Sequence, residues 1–235
     1  MNPVRQLRFM ACQALAATLL AATFGWGSAS AEVVISNLDG NDQSASTLVG
    51  NLKRSKAIGF TMAGADAYLL GSVVLRLAVS DTTETIGAAL FGESAGAPTG
   101  TALVNFTIPA FSVGTQNYTL LPDADFVLQP LTTYFLVAYG TSQGSSTSYI
   151  DWLAGFPAVV PTGLATYAGA FADNTGAAAV PPSQASSTIN SFAVNATAVN
   201  TNAVPEPGSL SLLVLAAFAA GAAQFRRRAQ AHAVA

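Results

Sequence analysis

Two chemically versatile side chains are almost missing from this chain. Its single cysteine is Cys12 and its single histidine is His232, so the stretch 32–205 holds neither. That stretch therefore has no material for a Ser-His-Asp or Cys-His triad, a zinc site built on His or Cys, or a disulfide. Charge is scarce as well. Asp, Glu, Lys and Arg make up 9% of the chain, about a third of the usual ~25%, which removes the charged outer faces that surface helices need. Bases are scarcest: within 32–205 only Lys53, Arg54, Lys56 and Arg76 stand against eleven acids, a formal charge of −7. Phosphate backbones are held by clustered Lys and Arg, so this balance argues against nucleic acid as a partner.

What fills the stretch instead is Val, Thr, Tyr, Phe, Ala, Gly and Ser, a composition that favours strands. Val73, Leu75, Leu77 and Val79 fall on one side of a period-2 pattern, with Val74, Arg76 and Ala78 on the other. Residues 101–108 repeat the pattern, Leu103, Asn105 and Thr107 opposing Ala102, Val104, Phe106 and Ile108. Residues 85–91, 117–121 and 126–129 add shorter strands, and the apolar run 132–139 reads as a central one. Strands are also expected at 149–153, 163–171 and 189–199. Between them, 92–100 reads as a long turn, 141–148 as a polar loop and 173–187 as a Gly/Ala/Pro-rich loop. Turn residues every 8 to 15 positions mark an antiparallel arrangement. The expectation is one all-β domain over 32–199, an antiparallel, jelly-roll-like β-sandwich large enough for its own core.

Both flanks carry apolar runs. Arg5 and Arg8 precede the run 10–24, and Ala29-Ser30-Ala31 supplies the small-x-small site of a signal peptide over 1–31, with Glu32 as first mature residue. Cys12 opens the apolar run without a lipobox before it. At the other flank, residues 200–208 form a linker ending in Val204, Pro205, Glu206, Pro207 and Gly208. The uncharged run 209–225 follows; a helix from Gly208 to Phe225 would be about 27 Å long, barely enough for a ~30 Å hydrocarbon core. Arg226, Arg227 and Arg228 close it and place the tail 226–235 in the cytoplasm. Pro205 and Pro207 keep the helix from starting earlier.

Pro-Glu-Pro, a short apolar helix and an arginine cluster, in that order over 204–228, resemble the PEP-CTERM protein-sorting signal. The resemblance implies a partner, an exosortase-type membrane protease that cleaves near the motif, and an inner-membrane precursor later moved to the cell surface or extracellular matrix. It also implies a bacterium that makes exopolysaccharide. The seven residues after the arginines are slightly more than that pattern usually shows. A second resemblance runs over 59–140, where "GFTMAG", "LLGSVVLRLAVS", "ALFGESAGAPTGTAL" and "PLTTYFLVAYG" are similar in order to the choice-of-anchor R domain, with Phe135 where a tryptophan is usual. It implies a β-sandwich and lends no activity.

No catalytic residue, cofactor or metal is expected. Candidates for the carboxylates that an acid/base pair would need include Glu93, Asp123, Asp125 and Asp151, the last beside Trp152. Asp123 and Asp125 sit in a turn-like PDAD, where carboxylates ordinarily serve the loop itself. Asp39, Asn41 and Asp42, like the PDAD pair, offer hard oxygens for calcium but lack the spacing of a calcium loop. Tyr139, Tyr149 and Trp152 would stack on sugar rings if they lined one face; the alternative for Tyr139 and Trp152 is core or edge packing. Two functions follow: a non-catalytic exported surface or matrix protein, and a carbohydrate-binding module for an extracellular polysaccharide.

Overall fold

The computed structural model describes residues 31–38 and 41–199. Most of the expected signal peptide with Ala29, the residues Val204, Pro205, Glu206 and Pro207, the run 209–225, Arg226, Arg227, Arg228 and also Asp39 lie outside the described residues. Those described form strands and loops, with no helix. In chain order the strands are β1 (Glu32–Ser36), β2 (Ser44–Val49), β3 (Ser55–Met62), β4 (Ala67–Val79) and β5 (Ile86–Ser94). Then come β6 (Ala97–Thr107), β7 (Gly114–Pro122), β8 (Val127–Leu128), β9 (Thr133–Gly140) and β10 (Ile150–Ala154). The last four are β11 (Thr162–Gly163), β12 (Ala165–Asp173), β13 (Gln184–Ala185) and β14 (Phe192–Val199).

All named strand pairs are antiparallel and belong to one curled sheet. Its order is β11-β1-β14-β4-β7-β6-β5-β9-β3-β12-β13, with β10 joining β2 to β4 and β8 lying against β4. The link between β7 and β6 is only two pairs, Phe106 with Pro122 and Thr107 with Leu121. The sheet bends at this corner, and its two halves face each other as in a β-sandwich.

The alternation read from the sequence explains what fills the space between them. Val73, Leu75, Leu77 and Val79 of β4 are buried, and Val74, Arg76 and Ala78 between them are only half-buried. From the other half, Ile58, Phe60 and Met62 of β3, Leu136 of β9 and Leu90 of β5 enter the same cluster. Side chains two apart share a face, so Phe135 and Val137 of β9 point outward, yet both are fully buried. They form a second cluster with Ala57, Ala89 and Phe91, against which Tyr139 and Phe171 pack. Glycines make it possible. A Cβ on Gly59 would lie 2.4 Å from the Phe135 ring, and one on Gly87 would lie 2.3 Å from the Tyr139 ring. Each aromatic lies across a bare backbone opposite it in register. This is why β9 reads as a continuous apolar run: neither face meets water.

The stretch 92–100 is a correction to the sequence reading. Its strands run on to Ser94 and resume at Ala97, leaving only Ala95 and Gly96 in the turn. Their φ values of 53° and 82° are those of a tight two-residue hairpin. The remaining turn-like residues sit within strands, around an irregularity between Leu90 and Gly92.

β14 inserts between β1 and β4. Just before β14, residues 190 and 191 bond to the end of β10, and a polar knot gathers around them. Asn37 Oδ1 accepts from the Phe192 amide at 2.9 Å, and its Nδ2 donates to the Asn190 carbonyl at 3.2 Å. Asn190 Nδ2 donates to the Trp152 carbonyl at 2.5 Å, and Trp152 Nε1 to the Ser191 carbonyl at 2.9 Å. Buried amides left unpaired here would cost several times what a formed hydrogen bond contributes, so the knot fixes the register of three strands at once.

The ends of the domain emerge together. Glu32 pairs with Ala196, and Val199 with Ala67, at the start of β4. Val79, at its other end, lies beside Ile150 and Gly114. The thirteen residues of β4, at about 3.3 Å each, separate these two poles by roughly 40 Å.

Candidate functional site

At the pole far from residues 32 and 199, the turn after β2, the loop 141–149 and β10 enclose a cleft of about 480 Å³. Its construction follows from local structure. The amide of Arg54 donates to the Leu48 carbonyl at 2.9 Å and the Gly140 amide donates to the Arg54 carbonyl at 2.9 Å, which turns the chain back between β2 and β3. A side chain at Gly140 is forbidden there, since a Cβ would come within 2.4 Å of the Leu48 carbonyl oxygen. The opposite wall is the loop 141–149, held down by a buried carboxylate. Glu84 accepts from Ser142 Oγ and Ser148 Oγ, each at 2.5 Å. Ser80 Oγ further fastens the loop by donating to the Tyr149 carbonyl at 3.1 Å.

Into this frame β10 delivers alternating residues. Ile150, Trp152 and Ala154 go into the core, and Asp151 faces the cleft beside Thr47, its partner on β2. Arg54, Tyr149 and Asn51 complete the functional lining. Arg54 Nε and Asp151 Oδ1 have no hydrogen-bond partner. The two opposite charges line one cleft without pairing; the ion pair formed among the described residues is that of Arg76 with Asp42.

A second cleft of about 220 Å³ meets the first at Thr47 and Arg54 and runs on past Lys56, Asn174 and Ser186. Lys56 is 1% exposed, and its Nζ donates to Ser186 Oγ. Burial holds its ammonium down to about 8 from an ordinary 10.5. Together the clefts make a polar groove rich in hydroxyl and amide groups.

The candidates named from sequence are not brought together. Tyr139, Tyr149 and Trp152 do not share a face. Tyr139 covers Gly87 on the outer side of β9, Trp152 is fully buried, and Tyr149 alone lines the cleft. The pairing of Asp151 with Trp152 also fails, because neighbours on a strand point to opposite faces. Asp123 and Asp125 are exposed beyond β7, and Glu93 accepts from the Gly96 amide within its hairpin. Asp42 receives Arg76 Nε at 2.6 Å on Oδ1 and Nη2 on Oδ2, so a cation binding there would have to displace a bidentate guanidinium. Among the described residues no three His, Cys, Asp or Glu side chains are grouped to hold a metal ion.

Sequence reasoning missed Arg54, Lys56 and Glu84. The signal available was rarity: three of the four bases of the stretch 32–205 fall within 53–56, and residues so sparse in a chain are held for a local reason. The chain matches no protein-family model and no curated protein.

Proposed function

We propose that the protein is a non-catalytic component of a bacterial cell surface or extracellular matrix, exported by its signal peptide and sorted through its PEP-CTERM tail by an exosortase-type protease. The observation that carries this reading is the order of features after the domain. β14 ends at Val199, and Val204, Pro205, Glu206 and Pro207 follow within a few residues, then the apolar run and three arginines. In this reading the chain is a jelly-roll-like sandwich between a cleaved leader and a transient transmembrane helix. The helix 209–225 holds the domain at the inner membrane until cleavage. The prolines keep the segment outside the bilayer extended, the form that protease clefts bind. Glu206 supplies a charge for recognition.

The test is fractionation of a host that has the sorting enzyme, with blotting against the domain. Replacement of Pro205, Glu206 and Pro207 by alanine leaves the protein full-length in the inner membrane. Trimming and release like wild type would refute the assignment and reduce the tail to an anchor.

A second reading, a module that binds extracellular polysaccharide, is supported by the groove at the pole away from residues 32 and 199. A tail anchored near 199 leaves that pole facing outward.

A further inference from the structure

We infer that the Arg54–Asp151–Tyr149 cleft binds a neutral saccharide, one sugar unit seated between the guanidinium and the carboxylate and its neighbours extending along the groove toward Ser186. The inference rests on the second reading above and assigns it a site.

The argument begins with the two charges. A guanidinium and a carboxylate that line one cleft without pairing with each other suit a ligand that accepts from one and donates to the other. Adjacent hydroxyls of a sugar ring do both, since each is donor and acceptor at once. A simple anion would satisfy Arg54 and be repelled by Asp151; a simple cation would meet the reverse. Tyr149, half-buried at the cleft wall, supplies an apolar ring surface with a polar tip, which suits the mixed faces of a pyranose. Asn51, Ser145 and Ser146 add donors and acceptors around it.

Charge favours a neutral sugar. Asp151 offsets Arg54, Lys56 is occupied by Ser186, and the stretch 32–205 carries −7, so an acidic polysaccharide approaches against the field of the domain. Size favours a chain. The first cleft falls in the ~300–1,000 Å³ range of small-molecule sites, and the second continues it at Thr47 and Arg54. A single sugar leaves that extension unused.

The experiment uses the full-length protein in mild detergent and calorimetric titration with gluco-, galacto- and manno-tetrasaccharides, with oligogalacturonate as the acidic comparison. At least one neutral tetrasaccharide binds, and Tyr149→Ala and Asp151→Asn each weaken it tenfold or more. Asn51→Ala weakens it several-fold; this side chain lies in an exposed turn whose Gln143 contact is to the Asn51 carbonyl, so its loss leaves the fold intact. Glu93→Gln, at the opposite pole, changes nothing. If a neutral saccharide binds and all three cleft variants match wild type, the site assignment falls while the carbohydrate reading survives. Binding of oligogalacturonate alone overturns the neutral class. If nothing in the panel binds, the inference and the carbohydrate reading fall together, and the sorting experiment is unaffected.

Discussion

Replacing Lys56 by methionine stabilises the domain at neutral pH, and the gain disappears in alkali. Lys56 follows the parity of Ile58 and Phe60 on β3, so its stem points into the sandwich between the levels of Ala138 and Ala172. The residue is 1% exposed, its ammonium is bonded to one hydroxyl, and it lies outside ion-pair reach of any described carboxylate. The folded protein therefore holds the proton more weakly than the unfolded chain, with a pKa of about 8 against 10.5. At about 1.4 kcal/mol per pH unit, the gap corresponds to roughly 3 kcal/mol of destabilisation whenever both states are protonated. Below pH 8 that cost is present in full. Between pH 8 and 10.5 the unfolded chain binds the proton and the folded one does not, so wild-type stability rises with pH. Methionine has a similar length and no charge, but it loses the bond to Ser186, worth about 1 kcal/mol. The expected advantage of Lys56→Met is about 2 kcal/mol at pH 6.5, falling to zero or below by pH 10.5. Urea denaturation of residues 32–203, wild type and variant, at both pH values measures it. A variant less stable at pH 6.5, or a difference that does not change with pH, would refute the reasoning.

Other predictions follow from packing and hydrogen bonding. Asn190→Ala leaves the Trp152 carbonyl without its 2.5 Å donor and lowers unfolding free energy by about 2–4 kcal/mol, read from the urea midpoint. Gly140→Ala, whose Cβ would meet the fixed Leu48 carbonyl oxygen, prevents folding or costs several kcal/mol, whereas Gly92→Ala, with nothing within 4 Å, is near neutral by the same assay. Phe135→Ala removes a fully buried ring and uncovers Gly59, a loss of about 3–5 kcal/mol. On the proposed export route the mature protein begins at Glu32, and N-terminal sequencing from the native host that returned Met1 would contradict it.

The sequence revealed strands where one face meets water and the other does not. β4 and β6 alternate because one face of each stays at least partly in solvent, and the pattern separated the residues of the buried face from those of the other. β9 was legible as an apolar run, but not the reason: Phe135 and Val137 are covered by a cluster built from four strands. β1, β2 and β3 were not assigned. β2 is short and rich in Ser and Thr, and β3 carries Lys56 and Gly59 where a buried strand should show only apolar residues. Both exceptions are explained by partners distant in sequence, Ser186 and Phe135. The cleft was hidden for the same reason. Arg54 and Asp151 are far apart along the chain, and only the pairing of β10 with β2 brings their walls together.

The placement of β14 determines how the domain carries force. Tension on the tail enters through this strand, whose eight residues pair with β4 on one side and, over 193–196, with β1 on the other. A ligand held in the far cleft draws the opposite way, along the strand axis. The rungs of both ladders are then sheared together, and none can open before its neighbours. Tension between residues 32 and 199 acts differently, because the two ends leave from the same pole and β1 can be peeled from β14 one rung at a time. The sheet is thus stiff as a tether between tail and cleft and weak as a link between its own two ends.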